Sequence, residues 1–207
     1  MIDHSVYLVT DAPERCRRGL LGDVEAALAG GVTVVQFRAT GGTRRTQYEL
    51  AQKLRELLRS RRIPLLINDQ VDLALAVDAD GVHVGQSDLP ADVVRRLIGP
   101  GKCLGLSITD FAQLASLPPG LDYLGVGPVF ATATKPDAAP ALGLAEFARI
   151  VAHSPLPVVA IGGIDPSNAA LVFAAGAAGV AVISAFTRAE DPASVARALR
   201  AAKLGSL

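Results

Sequence analysis

The sequence predicts a single-domain (β/α)₈ TIM barrel spanning residues 1–207, and three observations carry this prediction. Short apolar runs alternate with longer helical stretches along the whole chain, which is the pattern of parallel strands joined by helices. Eight such runs occur, the number that a closed barrel of this kind requires. The length of 207 residues suits one compact barrel. The runner-up is a doubly wound open sheet, which shares the alternation.

The predicted strands are almost wholly apolar, as expected of parallel strands that helices cover on the outside. In chain order they are Val6–Thr10, Val32–Arg38, Pro64–Asn68, Gly81–Gly85, Cys103–Ser107, Tyr123–Gly127, Pro157–Ile161 and Val180–Ser184.

Cap signals predict where three of the intervening helices begin. Thr46 and Glu49 have the spacing of a capping box, and leucines recur on one face of the stretch that follows. Asp165 and Asp191 each precede a proline, so each predicts an N-cap acid with proline at the first helical position.

Composition excludes several classes of protein. Half of the residues are hydrophobic and 19% are charged, which argues for a large core and against disorder. Lys plus Arg equals Asp plus Glu at 20 each, so the sequence has no excess of positive charge that would attract nucleic acid or an anionic membrane. The apolar stretch 169–186 is long enough to span a membrane, but two glycines divide it. We therefore expect a helix, a turn and a buried strand there.

Cysteine usage and the N-terminus favour a cytoplasmic protein. Cys16 and Cys103 lie far apart in unrelated contexts, which predicts free thiols in a reducing compartment. The first residues contain neither a basic segment nor an apolar segment of a secretory signal.

Polar or glycine-rich residues end seven of the eight predicted strands. Because the C-terminal ends of parallel strands meet at one rim, these residues predict an active site at that rim. They are Gln36 and Arg38, Asn68 and Asp69, Gln86 to Asp88, Ser107, Thr132 to Lys135, Gly162 and Gly163, and Ser184.

Two acids and two cations at this rim predict a site for a metal and a pyrophosphate. Asp69 and Asp88 follow adjacent strands and suit a hard divalent cation such as Mg²⁺. Each acid, taken alone, is equally well explained as a helix cap. Arg38 and Lys135 are the cations for a pyrophosphate, although Arg38 could instead pair with a strand-end acid.

A second phosphate site is predicted after strand seven. The glycines of Gly162–Ile164 allow phosphate oxygens to approach backbone N–H groups before a helix. The small-residue loop 131–141 is a candidate lid, and a tolerated surface insertion is the alternative. His83 lies mid-strand, where we expect packing and one satisfied hydrogen bond, and no histidine is assigned to catalysis.

These residues, in this order, resemble the thiamine-phosphate synthase family along nearly the whole chain. The matching motifs are Gln36-x-Arg38, Ile67-Asn68-Asp69, Gly81-Val82-His83-Val84-Gly85-Gln86-x-Asp88, Leu104-Gly105-Leu106-Ser107, Asp122 to Lys135, Ala160-Ile161-Gly162-Gly163-Ile164 and Ile183-Ser184-Ala185.

The resemblance implies a transferase. Members of the family join a hydroxymethylpyrimidine pyrophosphate to a thiazole phosphate, and they release pyrophosphate through a pyrimidine-stabilised cation. By resemblance, Asp69 and Asp88 hold Mg²⁺, and Arg38, Ser107 and Lys135 are catalytic. The residues implied to bind the pyrimidine pyrophosphate are Gln36, Arg38, Thr40, Asn68, Ser107 and Lys135. Those implied to bind the thiazole phosphate are Thr132, Thr134, Gly163, Ile183 and Ser184.

The chain departs from the family pattern at two positions. Thr40 stands where the family usually carries Lys, and Arg44 or Arg45 could supply the missing charge from the same loop. Thr109 stands where the family often carries His. Losing one charge-assisted hydrogen bond typically costs about 1.5–3 kcal/mol, so rate and affinity are affected more than identity.

Two other functions compete with the synthase. A thiazole tautomerase shares the phosphate site, but it relies on a histidine after strand five that Thr109 does not provide. A non-catalytic barrel that binds phosphorylated ligands is the second, and Thr40 is its best support. The predicted partners are small phosphorylated molecules, without nucleic acid or membrane, and self-association into a homo-oligomer stays open.

Overall fold

A computed structural model describes residues 2–132, 134 and 139–205. Eight parallel strands close into a barrel in the order β1 to β8, with β8 hydrogen-bonded to β1, so the barrel prediction is confirmed. The strands are β1 (Val6–Val9), β2 (Val34–Phe37), β3 (Leu65–Asn68), β4 (Gly81–Val84), β5 (Cys103–Ile108), β6 (Tyr123–Val126), β7 (Val158–Ile161) and β8 (Gly179–Val182). Each lies within two residues of its predicted bounds because the buried apolar runs define them.

Helices connect the strands on the outside of the barrel. They are α1 (Gly19–Leu28), α2 (Arg44–Ser60), α3 (Val71–Ala76), α4 (Ala91–Ile98), α5 (Gly143–His153), α6 (Ala169–Ala174), α7 (Ser184–Thr187) and α8 (Pro192–Leu204). Short 3₁₀ helices cover Pro13–Arg15 and Phe111–Ser116. The stretch 169–186 contains α6, β8 and most of α7, and no helix among the described residues has the length and apolarity to cross a membrane.

Two of the three predicted helix starts are wrong. Helix α2 begins earlier than expected, because its capping box is formed by Thr43 and Thr46 rather than by Thr46 and Glu49. Helix α6 begins at Ala169. Asp165 instead closes a tight turn, accepting the Ser167 N–H at 2.7 Å. Asp191 is an N-cap as predicted, accepting the Ala193 N–H at 3.0 Å.

The core has two parts, one on each side of the barrel wall. The larger part lies between the strands and the helices and includes Leu54 and Leu58 of α2. The smaller part fills the barrel interior and contains Tyr7, Val9, Val34, Leu66, Tyr123, Val159 and Ala181. Both cysteines are free thiols, as predicted.

Candidate active site

The C-terminal ends of the strands form one rim, and hydrogen bonds of backbone and side-chain groups join neighbouring strand ends there. The Arg38 N–H donates to Thr10 Oγ1 at 3.0 Å, and the Phe130 N–H donates to the Gly162 carbonyl at 3.0 Å. Between them, Gln86 Nε2 donates to the Ser107 carbonyl at 2.8 Å. Those of the predicted rim residues that the structure describes follow the C-terminal ends of the strands, whereas Lys135 lies outside the described residues.

Asp69 sits in an unusual backbone conformation at the end of β3. Its φ is +60°, and non-glycine residues rarely adopt positive φ except where function or context demands it. Its N–H donates to the His83 carbonyl at 2.8 Å, and its carboxylate accepts a hydrogen bond from Asn68 Nδ2. These contacts hold the carboxylate group at the boundary of β3 and β4.

Asp88 follows the next strand and is held by its own loop. Its Oδ2 accepts the Gly85 N–H at 2.7 Å. The N-cap positions of α3 and α4 are Gln70 and Pro90, so neither acid occupies a cap position and the capping alternative is wrong.

A site for Mg²⁺ with two carboxylates fits the residues at this edge. No group of three or more His, Cys, Asp or Glu side chains capable of holding a metal occurs among the described residues. Mg²⁺, however, commonly takes one or two carboxylates and completes its shell with water and substrate phosphates. Asp69 and Asp88 follow adjacent strands and are the two carboxylates that could hold such an ion.

The cationic side chains near this edge differ in whether they already pair with a carboxylate of the protein. Within the described residues, the half-buried Arg38 side chain has no ion pair or hydrogen bond, so the ion-pair alternative is not seen. Arg44 binds the Asp72 carboxylate through two bonds of 2.7 and 2.6 Å, and Arg45 lies 3.6 Å from Glu49. Lys135 lies outside the described residues.

Thr40 carries one of the two buried side-chain atoms that lack a hydrogen-bond partner among the described residues. That atom is its hydroxyl oxygen, Oγ1, and the other is Nε2 of His4. A buried hydroxyl without a partner is unfavourable, so it is a natural contact for a bound ligand.

A chain of hydrogen bonds crosses the barrel interior below the rim. Gln36 Nε2 donates to the Tyr7 hydroxyl at 2.7 Å, and the Tyr7 and Tyr123 hydroxyls are 2.9 Å apart. His83 Nδ1 lies 2.8 Å from the Tyr123 hydroxyl, and His83 Nε2 lies 2.9 Å from Ser107 Oγ. His83 is buried as predicted but makes two side-chain hydrogen bonds rather than one, because Ser107 and Tyr123 flank it from β5 and β6.

Two glycines make the space for this chain. His83 of β4 pairs in register with Gly105 of β5, which pairs with Tyr123 of β6. A Cβ on Gly105 would lie 2.2 Å from Tyr123 and 2.5 Å from His83 Nδ1, and one on Gly125 would lie 2.8 Å from the His83 ring. Glycine at these positions is therefore a packing requirement.

The chain is uncharged at neutral pH. Burial lowers the pKa of His83 to about 4. Burial also raises the pKa of Tyr7 and Tyr123 well above the usual value for tyrosine. The hydroxyls and the imidazole therefore interact as neutral donors and acceptors.

On the far side of the ring, β7 and β8 are each followed by a backbone N–H group that has no acceptor among the described residues. Gly163 has a φ of +65°, and a Cβ there would lie 2.6 Å from the Ala131 carbonyl. Asn168 Nδ2 donates to the Gly163 carbonyl at 2.8 Å and fixes the turn. Within the described chain, the N–H groups of Gly163 and Ser184 donate to no acceptor, so both are available to a phosphate.

The remaining predicted residues that the structure describes follow β6 and β8, the two neighbours of β7 in the barrel. The Thr134 N–H lies 3.3 Å from Thr132 Oγ1 on the loop after β6. Ile183 is the N-cap residue of α7 and packs on the interior cluster, and Ser184 is the first residue of that helix.

Sequence reasoning missed Tyr7 and Tyr123. The other residues of both strands are aliphatic or glycine. Each tyrosine lies two residues before another residue that faces the barrel interior, so its side chain points inward as well. A tyrosine in such a strand needs a partner for its hydroxyl, and this signal was available in the sequence.

Comparisons with known proteins agree with one another along the chain. The family described as thiamine monophosphate synthase matches residues 6–186. The thiamine-phosphate synthase of Laribacter hongkongensis is 56% identical over 205 residues, covering 98% of this chain and 97% of that protein. The thiamine-phosphate synthase of Chloroflexus aurantiacus is 50% identical, covering 97% of this chain and 93% of that protein. The structure of thiamine phosphate pyrophosphorylase from Pyrococcus furiosus aligns with a TM-score of 0.88 at 37% identity, covering 99% of this chain and 98% of that chain.

Proposed function

Because the chain belongs to the thiamine monophosphate synthase family, we propose that it joins a hydroxymethylpyrimidine pyrophosphate to a thiazole phosphate. The observation that carries the proposal is that two sets of groups suited to binding anions lie at the same mouth of the barrel. One set follows β2, β3 and β4, and the other follows β7 and β8. In a ring of eight strands, β3 lies opposite β7, so two phosphorylated substrates can approach each other across the mouth.

The reaction breaks one bond and forms another at the same carbon. The bond from the pyrimidine methylene carbon to the pyrophosphate oxygen breaks, and its electron pair leaves with the oxygen. The lone pair of the thiazole nitrogen then forms the new carbon–nitrogen bond. The protein must therefore stabilise negative charge on the leaving pyrophosphate and hold the nitrogen in line.

The edge formed by β2, β3 and β4 binds the pyrophosphate. Asp69 and Asp88 would hold Mg²⁺, which when bound neutralises charge on the pyrophosphate oxygens. Arg38 contributes a guanidinium that no protein carboxylate occupies in the described chain. Asn68 orients the Asp69 carboxylate, and Thr40 offers its hydroxyl.

The remaining pyrimidine contacts come from the interior chain and the loop after β6. Gln36 and Ser107 stand at the two ends of the hydrogen-bonded chain. Ser107 faces the mouth, and Gln36, whose Nε2 already donates to Tyr7, keeps its amide oxygen for the pyrimidine. Lys135 adds a second cation for the pyrophosphate. We assign the chemistry to Arg38, Ser107 and Lys135.

The opposite side of the mouth holds the thiazole phosphate. The N–H groups of Gly163 and Ser184, which have no acceptor in the described part of the chain, support phosphate binding, since backbone donors stabilise anions without a cationic side chain. Thr132, Thr134 and Ile183 border the same turn and complete the contacts.

The tautomerase alternative gains no support from this arrangement. Thr109, at the position of the histidine on which that enzyme relies, is bonded to Gln113, whose Oε1 accepts its N–H at 2.8 Å. The two acids suited to a metal are retained as well.

The first experiment measures thiamine phosphate formed from the two substrates and Mg²⁺. Asp69→Asn removes the charge but keeps a residue type that tolerates positive φ, so we expect a tenfold to hundredfold loss of rate, as for about 1.5–3 kcal/mol. Asp92→Ala is the matched control, because it removes an exposed carboxylate whose ion-pair partner is Arg96 of its own helix, at 2.9 Å.

Three outcomes separate the hypotheses. Product that vanishes with EDTA and falls in Asp69→Asn, but not in Asp92→Ala, supports the synthase and its metal site. Product that persists in EDTA overturns the metal site. Folded wild-type protein that binds thiazole phosphate and makes no product overturns the synthase and favours the non-catalytic barrel.

A further inference from the structure

The hydrogen-bonded chain inside the barrel has one closed end and one open end. At the closed end Gln36 donates an N–H to Tyr7, so that end offers the tyrosines no acceptor. At the open end Ser107 lies on β5, half-buried at the mouth. The inference below rests on the proposed function, because it concerns how Ser107 meets the substrate.

The hydroxyl hydrogens of the two tyrosines determine the direction of the chain. Tyr7 accepts from Gln36, so its own hydrogen has the Tyr123 oxygen, 2.9 Å away, as its acceptor. The hydrogen of Tyr123 then passes to His83 Nδ1, 2.8 Å away. With Nδ1 accepting, the neutral imidazole carries its hydrogen on Nε2 and donates it to Ser107 Oγ at 2.9 Å.

The opposite direction leaves a buried donor without a partner. If Ser107 donated to His83 Nε2, then Nδ1–H would donate to Tyr123, and Tyr123 to Tyr7. With the Gln36 amide oriented so that its Nε2 donates, the Tyr7 hydrogen would then have no acceptor among the described residues, although Tyr7 is only 1% exposed. An unsatisfied buried donor is costly, so the chain runs from Gln36 toward Ser107.

The packing around Tyr123 holds its hydroxyl in place. The ring of His4 stacks beneath it at a centroid distance of 4.3 Å, and the His83 ring lies 5.4 Å away. Gly105 and Gly125 leave the room that the two rings need. Glycine at these two interior positions therefore allows the rings to hold this hydroxyl in place.

We propose that Tyr123 is a positioning residue that holds His83 as the Nε2–H tautomer, so that the Ser107 hydroxyl hydrogen is free to donate to the substrate. Ser107 is then a donor rather than an acceptor at the reacting end. It selects a substrate that presents an acceptor there, such as a ring nitrogen or a phosphate oxygen. Tyr7 and Gln36 act through Tyr123 by closing the other end.

The test reads the His83 tautomer directly by NMR of the protein labelled with ¹⁵N-histidine, without substrate. The His83 signals are identified by their loss in His83→Gln. We expect the wild-type protein to show the Nε2–H form. In Tyr123→Phe no hydroxyl donates to His83 Nδ1, so Nδ1 can carry the hydrogen itself. We therefore expect a mixture of tautomers and a kcat/KM about tenfold lower.

Tyr48→Phe is the matched control, since Tyr48 is a half-buried tyrosine of α2, outside the barrel interior, whose hydroxyl accepts from Gln52 at 2.7 Å. It should keep both the tautomer and kcat/KM. A wild-type protein with His83 as Nδ1–H overturns the proposal, and so does a folded Tyr123→Phe variant that matches wild type in both readouts. If Tyr123→Phe does not fold, the wild-type tautomer decides alone.

Failure of this proposal is distinguishable from failure of the proposed function. The tautomer is measured on the free protein, whereas synthase activity is measured on wild type with both substrates. An inactive wild-type protein with the Nε2–H tautomer would overturn the synthase and leave the direction of the chain intact.

Discussion

At the scale of single residues, the site is marked by polar groups that the protein does not satisfy by itself. The Thr40 hydroxyl is buried without a partner, and the Arg38 guanidinium has no carboxylate partner in the described residues. Arg44, which the sequence offered as a replacement cation, is bound to Asp72 instead. We therefore expect the Thr40 hydroxyl to take the place of the usual lysine, as a neutral contact.

The substitution Thr40→Val separates binding from stability. Valine has nearly the same shape and removes a buried hydroxyl without a partner, so the free energy of unfolding should stay level or rise by up to about 1 kcal/mol. The KM for the pyrimidine pyrophosphate should rise roughly fivefold, because the substrate loses a hydrogen bond.

Thr43→Val, in the same loop, should show the opposite pattern. Its hydroxyl caps α2 by accepting the Thr46 N–H at 3.2 Å, so its loss should lower the free energy of unfolding by about 1 kcal/mol and leave KM unchanged. Urea unfolding and steady-state kinetics measure both quantities. An unchanged KM in Thr40→Val would remove Thr40 from the binding site.

At the scale of elements, β4, β5 and β6 form one unit inside the barrel. His83 and Tyr123 belong to β4 and β6, and the strand between them contributes only Gly105 at that level. The short strands are otherwise apolar, so the polar chain depends on the register that brings these positions side by side.

Gly105→Ala should disrupt this unit. The new methyl group would lie 2.2 to 2.5 Å from Tyr123 and His83, so we expect a loss of stability of at least about 1–3 kcal/mol and loss of activity. Gly101→Ala is the control, since a Cβ there has no heavy atom within 4 Å. Thermal unfolding of both variants measures the difference, and equal stability would show that the interior rings have room to move.

At the scale of the whole molecule, the N-terminal end of the barrel is closed by a buried histidine. His4 is 8% exposed, its Nε2 has no partner among the described residues, and its ring stacks on Tyr123. Burial lowers the pKa of His4 to about 4, outweighing the nearby Asp3 and Asp122, which raise it, while Lys203 lowers it further. The His4 imidazole is therefore harder to protonate in the folded barrel than in the unfolded chain.

Stability should fall as the solution becomes acidic. The unfolded histidine takes up a proton below its ordinary pKa of about 6.5, whereas folded His4 remains neutral until about pH 4. The stabilisation is complete above pH 6.5 and is lost progressively as the pH falls toward 4, so His4 should account for about 2 kcal/mol less stability at pH 5 than at pH 7.5.

Urea unfolding of wild type and His4→Phe at the two pH values measures this effect. Phenylalanine keeps the ring on Tyr123 but cannot take up a proton, so it should reduce the pH difference by about 2 kcal/mol. The same pH dependence in both proteins would contradict the assignment to His4.

The sequence by itself determined the barrel and the rim. Strand positions such as β3 and β7 follow from apolar runs of a few residues, and the polar residues that end them follow from the same pattern. Both signals are local, because a parallel strand buried on both faces must be apolar and the rim is where its C-terminal end emerges. The matched motifs then predicted the family.

Helix starts were predicted less well, because several residues near a helix end can serve as caps. Thr43 and Thr46 form the capping box, which was expected three residues later, and Asp165 forms a tight turn rather than a cap. The choice depends on where the preceding loop lets the first helical turn pack.

Only the tertiary structure decided how the interior side chains connect. Tyr7 and Tyr123 are separated by 116 residues, and His83 and Tyr123 by 40, yet their polar atoms lie within 2.9 Å. Contacts at such separations depend on the register between strands and on the closure of the ring, neither of which a local pattern specifies. The polar residues could be read from the chain, but the partner of each hydroxyl, and hence the direction of its hydrogen bond, exists only once the barrel has closed.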